Sequence, residues 1–133
     1  MDTKLKGKII NALRRLTYSY SPRNEAANKQ KVAAATFKCE LCDKIVYKGT
    51  SKEIPAKILE EFPECEKGKI ALDHREPVIP INGYPNKEWD WNIYIERMFC
   101  DSEGFQAICF SCHKEKTYQE TQLRKKSRKL NKS

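Results

Sequence analysis

Six cysteines and only two histidines carry most of the reactive chemistry of this 133-residue chain. Cys39 and Cys42 form one C-x-x-C pair and Cys109 and Cys112 a second, with a long stretch, 43–108, between them. A C-x-x-C turn presents two thiolates from one knuckle. Two knuckles complete a tetrahedral sulfur shell, which suits zinc because it is borderline-soft and has no geometric demand of its own. The pattern predicts one structural zinc held by four cysteines. A redox use of either pair would call for a thioredoxin-like βαβ pattern, and none is present. Cys65 and Cys100 belong to no motif and read as free thiols. His113 directly follows Cys112, so it either shares the ion of the cysteines or, with four sulfurs already filling that shell, is spare for other work. His74 follows Asp73 at the end of a short apolar run. Lys116 stands one helical turn after His113 and can reach the same anion; Arg75 is the other nearby cation. No phosphate-cradling glycine loop and no G-x-S-x-G elbow offers a rival site.

Periodicity indicates which elements must hold these groups. Leu5, Ile9, Ile10, Leu13 and Leu16 fall on one side of an amphipathic helix over 3–17 with a basic outer face. Pro22 can open a second helix, expected to reach residue 35. Around the first knuckle, alternation at Ile45 and Tyr47 predicts a short hairpin. A short helix over 54–62 and a strand over 69–74 follow, the strand ending at Asp73-His74. The connection 77–104 carries turn signals at Asn82-Gly83 and is too long to be structureless in a compact domain. Within it Trp91, Tyr94, Ile95 and Met98 recur at i, i+3, i+4 and i+7, which predicts a helix near 87–98 whose aromatics face the core. A strand over 105–108 leads into the second knuckle and a charged helix over 111–122. The expected architecture is α+β, with a basic helical arm (1–36), a zinc-bearing domain (37–120) and a basic, disordered tail (121–133).

In this order, Cys39-x2-Cys42, Asp73-His74-x-x-Pro77 and Gly104-Phe105-Gln106-Ala107-Ile108-Cys109-x2-Cys112-His113-x2-Lys116-Thr117 resemble the HNH endonuclease family. The likeness is to its zinc-stapled branch, common among bacteriophage and mobile-element nucleases, and it covers about 37–120. The resemblance implies a ββα-metal core, two strands and a helix around one catalytic divalent ion, Mg2+ or Mn2+. It implies that Asp73 and His113 ligate that ion, that His74 activates water, and that Arg75 and Lys116 clamp the substrate phosphate. Gly104 stands where the family has an asparagine that braces the long connection, so bracing would fall to Asp101 or Ser102. The implied activity is hydrolysis of DNA phosphodiester bonds, one strand per ββα unit, so a monomer nicks. The implied context is phage packaging proteins or a mobile element. The chemistry is sound on physical grounds: a neutral imidazole with an intrinsic pKa of about 6.5 can take a proton from water, and a hard cation with only two protein ligands keeps positions open for substrate.

A formal net charge of +8 and a pI near 9.2 favour a polyanionic partner. The excess is concentrated in 114–133, where Lys and Arg far outnumber Glu115 and Glu120. No apolar run reaches the roughly 20 residues of a membrane span, and the first residues lack a signal-peptide pattern, so the expected setting is the cytoplasm, that of a host if the protein is phage-encoded. The rival reading is a zinc-knuckle nucleic-acid-binding protein without catalysis, which Gly104 alone favours. A purely architectural zinc adaptor accounts for the cysteines and leaves Asp73-His74 unexplained.

Overall fold

Two helices open the computed structural model, which describes residues 1–131. Helix α1 (Thr3–Thr17) starts at Asp2, whose carboxylate accepts from the Lys4 N–H at 3.1 Å, and α2 (Ser21–Lys29) has Pro22 in its first turn. On α1 the inner side is carried by half-buried Ile9, Ile10 and Leu13 and buried Thr17, while Leu5 and Leu16 remain exposed. Helix α2 stops short of residue 35. The chain enters strand β1 (Lys31–Ala33) instead, and turns through Ala35 (φ 52) onto β2 (Thr36–Lys38). Val32 and Ala33 pack against buried Ile45, Tyr47 and Ile58, and this tertiary packing overrides the helix propensity of the alanines.

Strand β3 (Ile45–Tyr47) pairs antiparallel with β2, as the hairpin expectation requires. After helix α3 (Ala56–Glu61), β4 (Glu66–Lys67) adds parallel to β3, giving a sheet in the order β1-β2-β3-β4. A second, two-stranded sheet joins β5 (Ile70–His74) to β6 (Phe105–Cys109), antiparallel, with Asp73 opposite Gln106 and His74 opposite Phe105. The connection between them carries α4 (Trp91–Met98), capped by the Asp90 carboxylate at the Ile93 N–H, and a single 3-10 turn (Ser102–Gly104). Tyr94 and Met98 are buried as expected, and the rings of Tyr84, Trp89, Trp91 and Tyr94 pack largely edge to face. At Asn82-Gly83 the chain turns with Gly83 at φ 79, a conformation glycine adopts without strain.

Helix α5 (Phe110–Asn131) follows β6 without a break. The stretch 121–131, expected to be disordered, is thus helical. The reason lies in its spacing: His113, Lys116, Glu120, Arg124 and Ser127 recur every third or fourth residue and are all half-buried on one face. Lys132 and Ser133, the rest of that expected tail, lie outside the described residues. The sheets meet at a buried cluster of Cys39, Val46, Ile108 and Cys109, against which Ile70, Ala71 and Cys112 pack. Helices α1 and α2 are fastened to this mixed α+β body. The Tyr20 hydroxyl donates to the carbonyls of Phe99 (2.9 Å) and Cys100 (2.8 Å), its ring meets Phe99 edge-on, and the Lys6 ammonium lies 3.9 Å above the Trp89 ring. Among the described residues no helix is long and apolar enough to cross a membrane.

Candidate functional site

The first knuckle forms where β2 ends. Cys39 N–H donates to the Lys44 carbonyl (2.8 Å), Asp43 N–H donates back to the Cys39 carbonyl (3.0 Å), and Asp43 adopts a left-handed φ of 63, which aspartate tolerates better than most residues. Glu40 docks the knuckle on β6: its N–H donates to the Ala107 carbonyl (3.1 Å) and its carboxylate accepts from the Ala107 N–H (3.0 Å). The second knuckle straddles the junction of β6 and α5, with Cys109 closing the strand and Cys112 in the first turn of the helix. The ligand atoms of Cys39, Cys42, Cys109 and Cys112 all lie within 4.8 Å of one another, so these four residues are positioned to hold a metal ion. The Cys42 and Cys109 sulfurs are 3.7 Å apart. A tetrahedral zinc with bonds of about 2.3 Å spaces its sulfurs by about 3.8 Å, so the donor set fits. Burial pushes the Cys39 thiol up, but N–H groups from Cys109, Cys42 and Leu41 outweigh it and hold Cys39 down to about 7. Cys112 is pushed well up, by burial and then by the neighbouring sulfurs of Cys109, Cys42 and Cys39. Outside the cluster, Cys65 is buried beneath β3 and Cys100 is half-buried beside Gly104; burial pushes both thiols up.

Asp73, His74, His113 and Lys116 come together beside this cluster. The Asp73 Oδ1 and His113 Nε2 atoms are 4.0 Å apart. That is too far for a hydrogen bond and wider than the roughly 3 Å between neighbouring ligands of an octahedral ion with bonds of about 2.1 Å, so the two atoms would close in on any ion they shared. His74 Nε2 lies 2.8 Å from the Met98 carbonyl oxygen. A carbonyl only accepts, so Nε2 carries the proton and the neutral ring keeps its lone pair on Nδ1. Phe105, opposite in register, holds the imidazole at a ring separation of 4.7 Å. Asp73 Oδ2 also accepts from buried Gln106 at 3.4 Å.

Lys116 is more engaged than a free phosphate clamp would be. Its ammonium touches Asp73 Oδ2 (2.5 Å), Glu120 Oε1 (2.9 Å) and the His74 carbonyl (2.6 Å). Burial works against the charge, yet the hydrogen bonds to Asp73 and then Glu120 outweigh it and raise the Lys116 pKa. Arg75 is likewise committed. It pairs with Glu40 (2.8 Å), donates to the Glu103 carbonyl (2.7 Å) and reaches Gln106 (3.4 Å), so it braces the strand end, the first knuckle and the 3-10 turn.

That turn needs no asparagine. Asp101 caps it by accepting from the Gly104 N–H at 3.2 Å, the Gly104 carbonyl takes the Arg75 N–H at 2.8 Å, and Tyr20 holds the Phe99 and Cys100 carbonyls just before Asp101. Ser102, the other expected brace, receives the Lys29 ammonium at 3.4 Å. A side chain at Gly104 would collide with the Cys100 sulfur and put its Cβ 2.9 Å from that of Cys100.

A cleft of about 400 Å³ opens over Asp73 and His74. Arg14, Arg23, Glu120 and Arg124 line it, and none of them is apparent from the motifs. Glu120 and Arg124 continue the helical spacing of His113 and Lys116, a signal present in the sequence once the helix is allowed to run past residue 122. Arg14 and Arg23 carried no local signal, since only tertiary packing brings α1 and α2 to this edge. The chain matches no family model and no solved structure.

Proposed function

We propose that the protein is a metal-dependent endonuclease of the HNH type that nicks DNA, with β5, β6 and α5 as its ββα unit. The observation that carries this reading is the placement of Asp73 Oδ1 4.0 Å from His113 Nε2, with Asp73 also lining a cleft beside His74, whose Nδ1 is left free by the Nε2 bond to Met98. Asp73 and His113 would hold Mg2+ or Mn2+, and a bound divalent ion supplies charge neutralisation at the scissile phosphate and the leaving oxygen. His74, held by Met98 and Phe105, takes the proton from the attacking water at Nδ1. Lys116 stays beside Asp73 through Glu120 and neutralises an approaching phosphate. The four cysteines hold zinc and fix the start of α5, one residue before His113.

Plasmid relaxation in magnesium or manganese tests this. The wild type is expected to convert supercoiled to nicked circles, and His74→Ala to lose about 10²–10⁴ of the rate. Intact supercoiled plasmid in every divalent ion would defeat the reading, and equal nicking by His74→Ala would remove His74 as the base. One observation favours the rival, a nucleic-acid-binding protein without catalysis: the Lys116 ammonium rests on the carboxylate that the divalent ion needs. In that case the wild type binds DNA and leaves it uncut.

A further inference from the structure

The cleft over Asp73 and His74 has an unbalanced charge lining. Arg14 from α1, Arg23 from α2, and Lys116 and Arg124 from α5 face two acids, Asp73 and Glu120. Both acids are already taken by Lys116. Among the described residues, Arg14, Arg23 and Arg124 have no carboxylate partner. Each guanidinium is nevertheless held in place by something that leaves its charge unmatched. Arg23 is half-buried and lies 5.3 Å from the Tyr18 ring centre, and Arg124 donates to the Ile79 (2.7 Å) and Pro80 (3.2 Å) carbonyls. Arg14 sits against the buried Tyr94. Positioned guanidiniums that lack an acid are suited to phosphate, which their planar fork binds through two hydrogen bonds.

We infer that Arg14, Arg23 and Arg124 form a phosphodiester clamp around the reacting centre, so that the helical hairpin α1–α2 is part of the substrate groove. This rests on the nuclease reading for the identity of the polyanion, the DNA backbone. The contacts are to phosphate and carry no base information, so binding is sequence-tolerant and salt-dependent. Arg75, committed to Glu40, is not part of the clamp. Tyr20 is what delivers Arg14 and Arg23 to the cleft, because its two hydrogen bonds fix the hairpin to the residues before the 3-10 turn.

The test is fluorescence anisotropy on a short DNA duplex without added magnesium, over a series of salt concentrations. The Arg14→Gln/Arg23→Gln variant is expected to bind about tenfold or more weakly, with the log-affinity against log-salt slope reduced by roughly 1–2. Arg14→Lys/Arg23→Lys, which keeps the charge, should recover part of the loss, and thermal unfolding of each variant reports whether it is folded. Lys52→Gln/Lys57→Gln removes the same charge from exposed residues outside the cleft and should bind within about twofold of wild type. If the cleft variant behaves like this control while the wild type binds and nicks DNA, the clamp is wrong and the nuclease reading stands. If the wild type neither binds nor nicks DNA, the nuclease reading fails. Inorganic pyrophosphate then decides the clamp: raising the unfolding temperature of wild type but not of the cleft variant upholds it, and equal or absent shifts overturn it.

Discussion

Asp73 divides its two carboxylate oxygens between two neighbours on α5. Its Oδ2 holds the Lys116 ammonium at 2.5 Å while its Oδ1 faces His113. Any divalent ion that draws charge from Asp73 competes with Lys116, whose other partners, Glu120 and the His74 carbonyl, can retain it nearby. Removing the ammonium should therefore tighten ion binding. An ion pair of this partly exposed kind is worth about 1 kcal/mol or less, so Lys116→Met is expected to bind Mn2+ up to about fivefold more tightly. The electron-paramagnetic signal of free Mn2+ during titration measures this directly. Unchanged or weaker binding would show that Lys116 does not compete for Asp73. Nicking by the same variant should nevertheless fall, because a cation beside the phosphate is gone. Tighter metal with slower cutting is a combination that simple unfolding does not produce.

The connection between β5 and β6 positions these residues, and within it Gly104 packs closely against Cys100. An asparagine placed there would put a Cβ against Cys100. Gly104→Asn is expected to lose about 1–3 kcal/mol of stability, typical of overpacking. Cys100→Ala in the same chain removes the colliding sulfur and should return part of that loss, as read from urea unfolding midpoints. Additive losses in the double variant would place the cause elsewhere. The same region shows what a sequence can and cannot convey. Asp73-His74 at a strand end, the two knuckles and the helix ending at Met98 were legible because each rests on local spacing or period. The brace at the 3-10 turn was only partly legible: Asp101 stands near enough in sequence to suggest itself, whereas Tyr20 and Lys29 arrive from the far end of the chain. Strand β1 is not legible locally, because its alanines favour helix and only its neighbours in the sheet decide otherwise. The last turns of α5 have a basic composition that suggests disorder, although the half-buried face through Arg124 and Ser127 continues the register of His113.

At the scale of the molecule, the four-cysteine cluster joins the two sheets and the long helix. Cys39 follows β2, Cys109 ends β6 and Cys112 opens α5, so one ion there would tie three elements that otherwise share a small core. Structural zinc of this kind contributes roughly 10 kcal/mol or more of binding free energy to folding. We expect one zinc per chain by elemental analysis, and a large fall in unfolding temperature when a chelator removes it. Because the cluster would also fix the start of α5, the Mn2+ binding proposed for Asp73 and His113 should be lost in the chelated protein even where the helices persist by circular dichroism. Acidity acts in the same direction. Cys39 is held below its ordinary value of 9.0, near 7, so its thiolate contributes fully to metal-free stability above about 9 and ceases to do so as pH falls through about 7. Cys112 gives up its proton reluctantly, so zinc entry must expel it, and zinc affinity should fall steadily as pH drops from about 9 through the neutral range. Competition with a chromophoric chelator across that range measures the slope. A pH-independent affinity would mean that binding releases no thiol proton and that the cysteines are not the ligands, and a chelated protein with unchanged Mn2+ binding would mean that α5 holds His113 in place without the cluster.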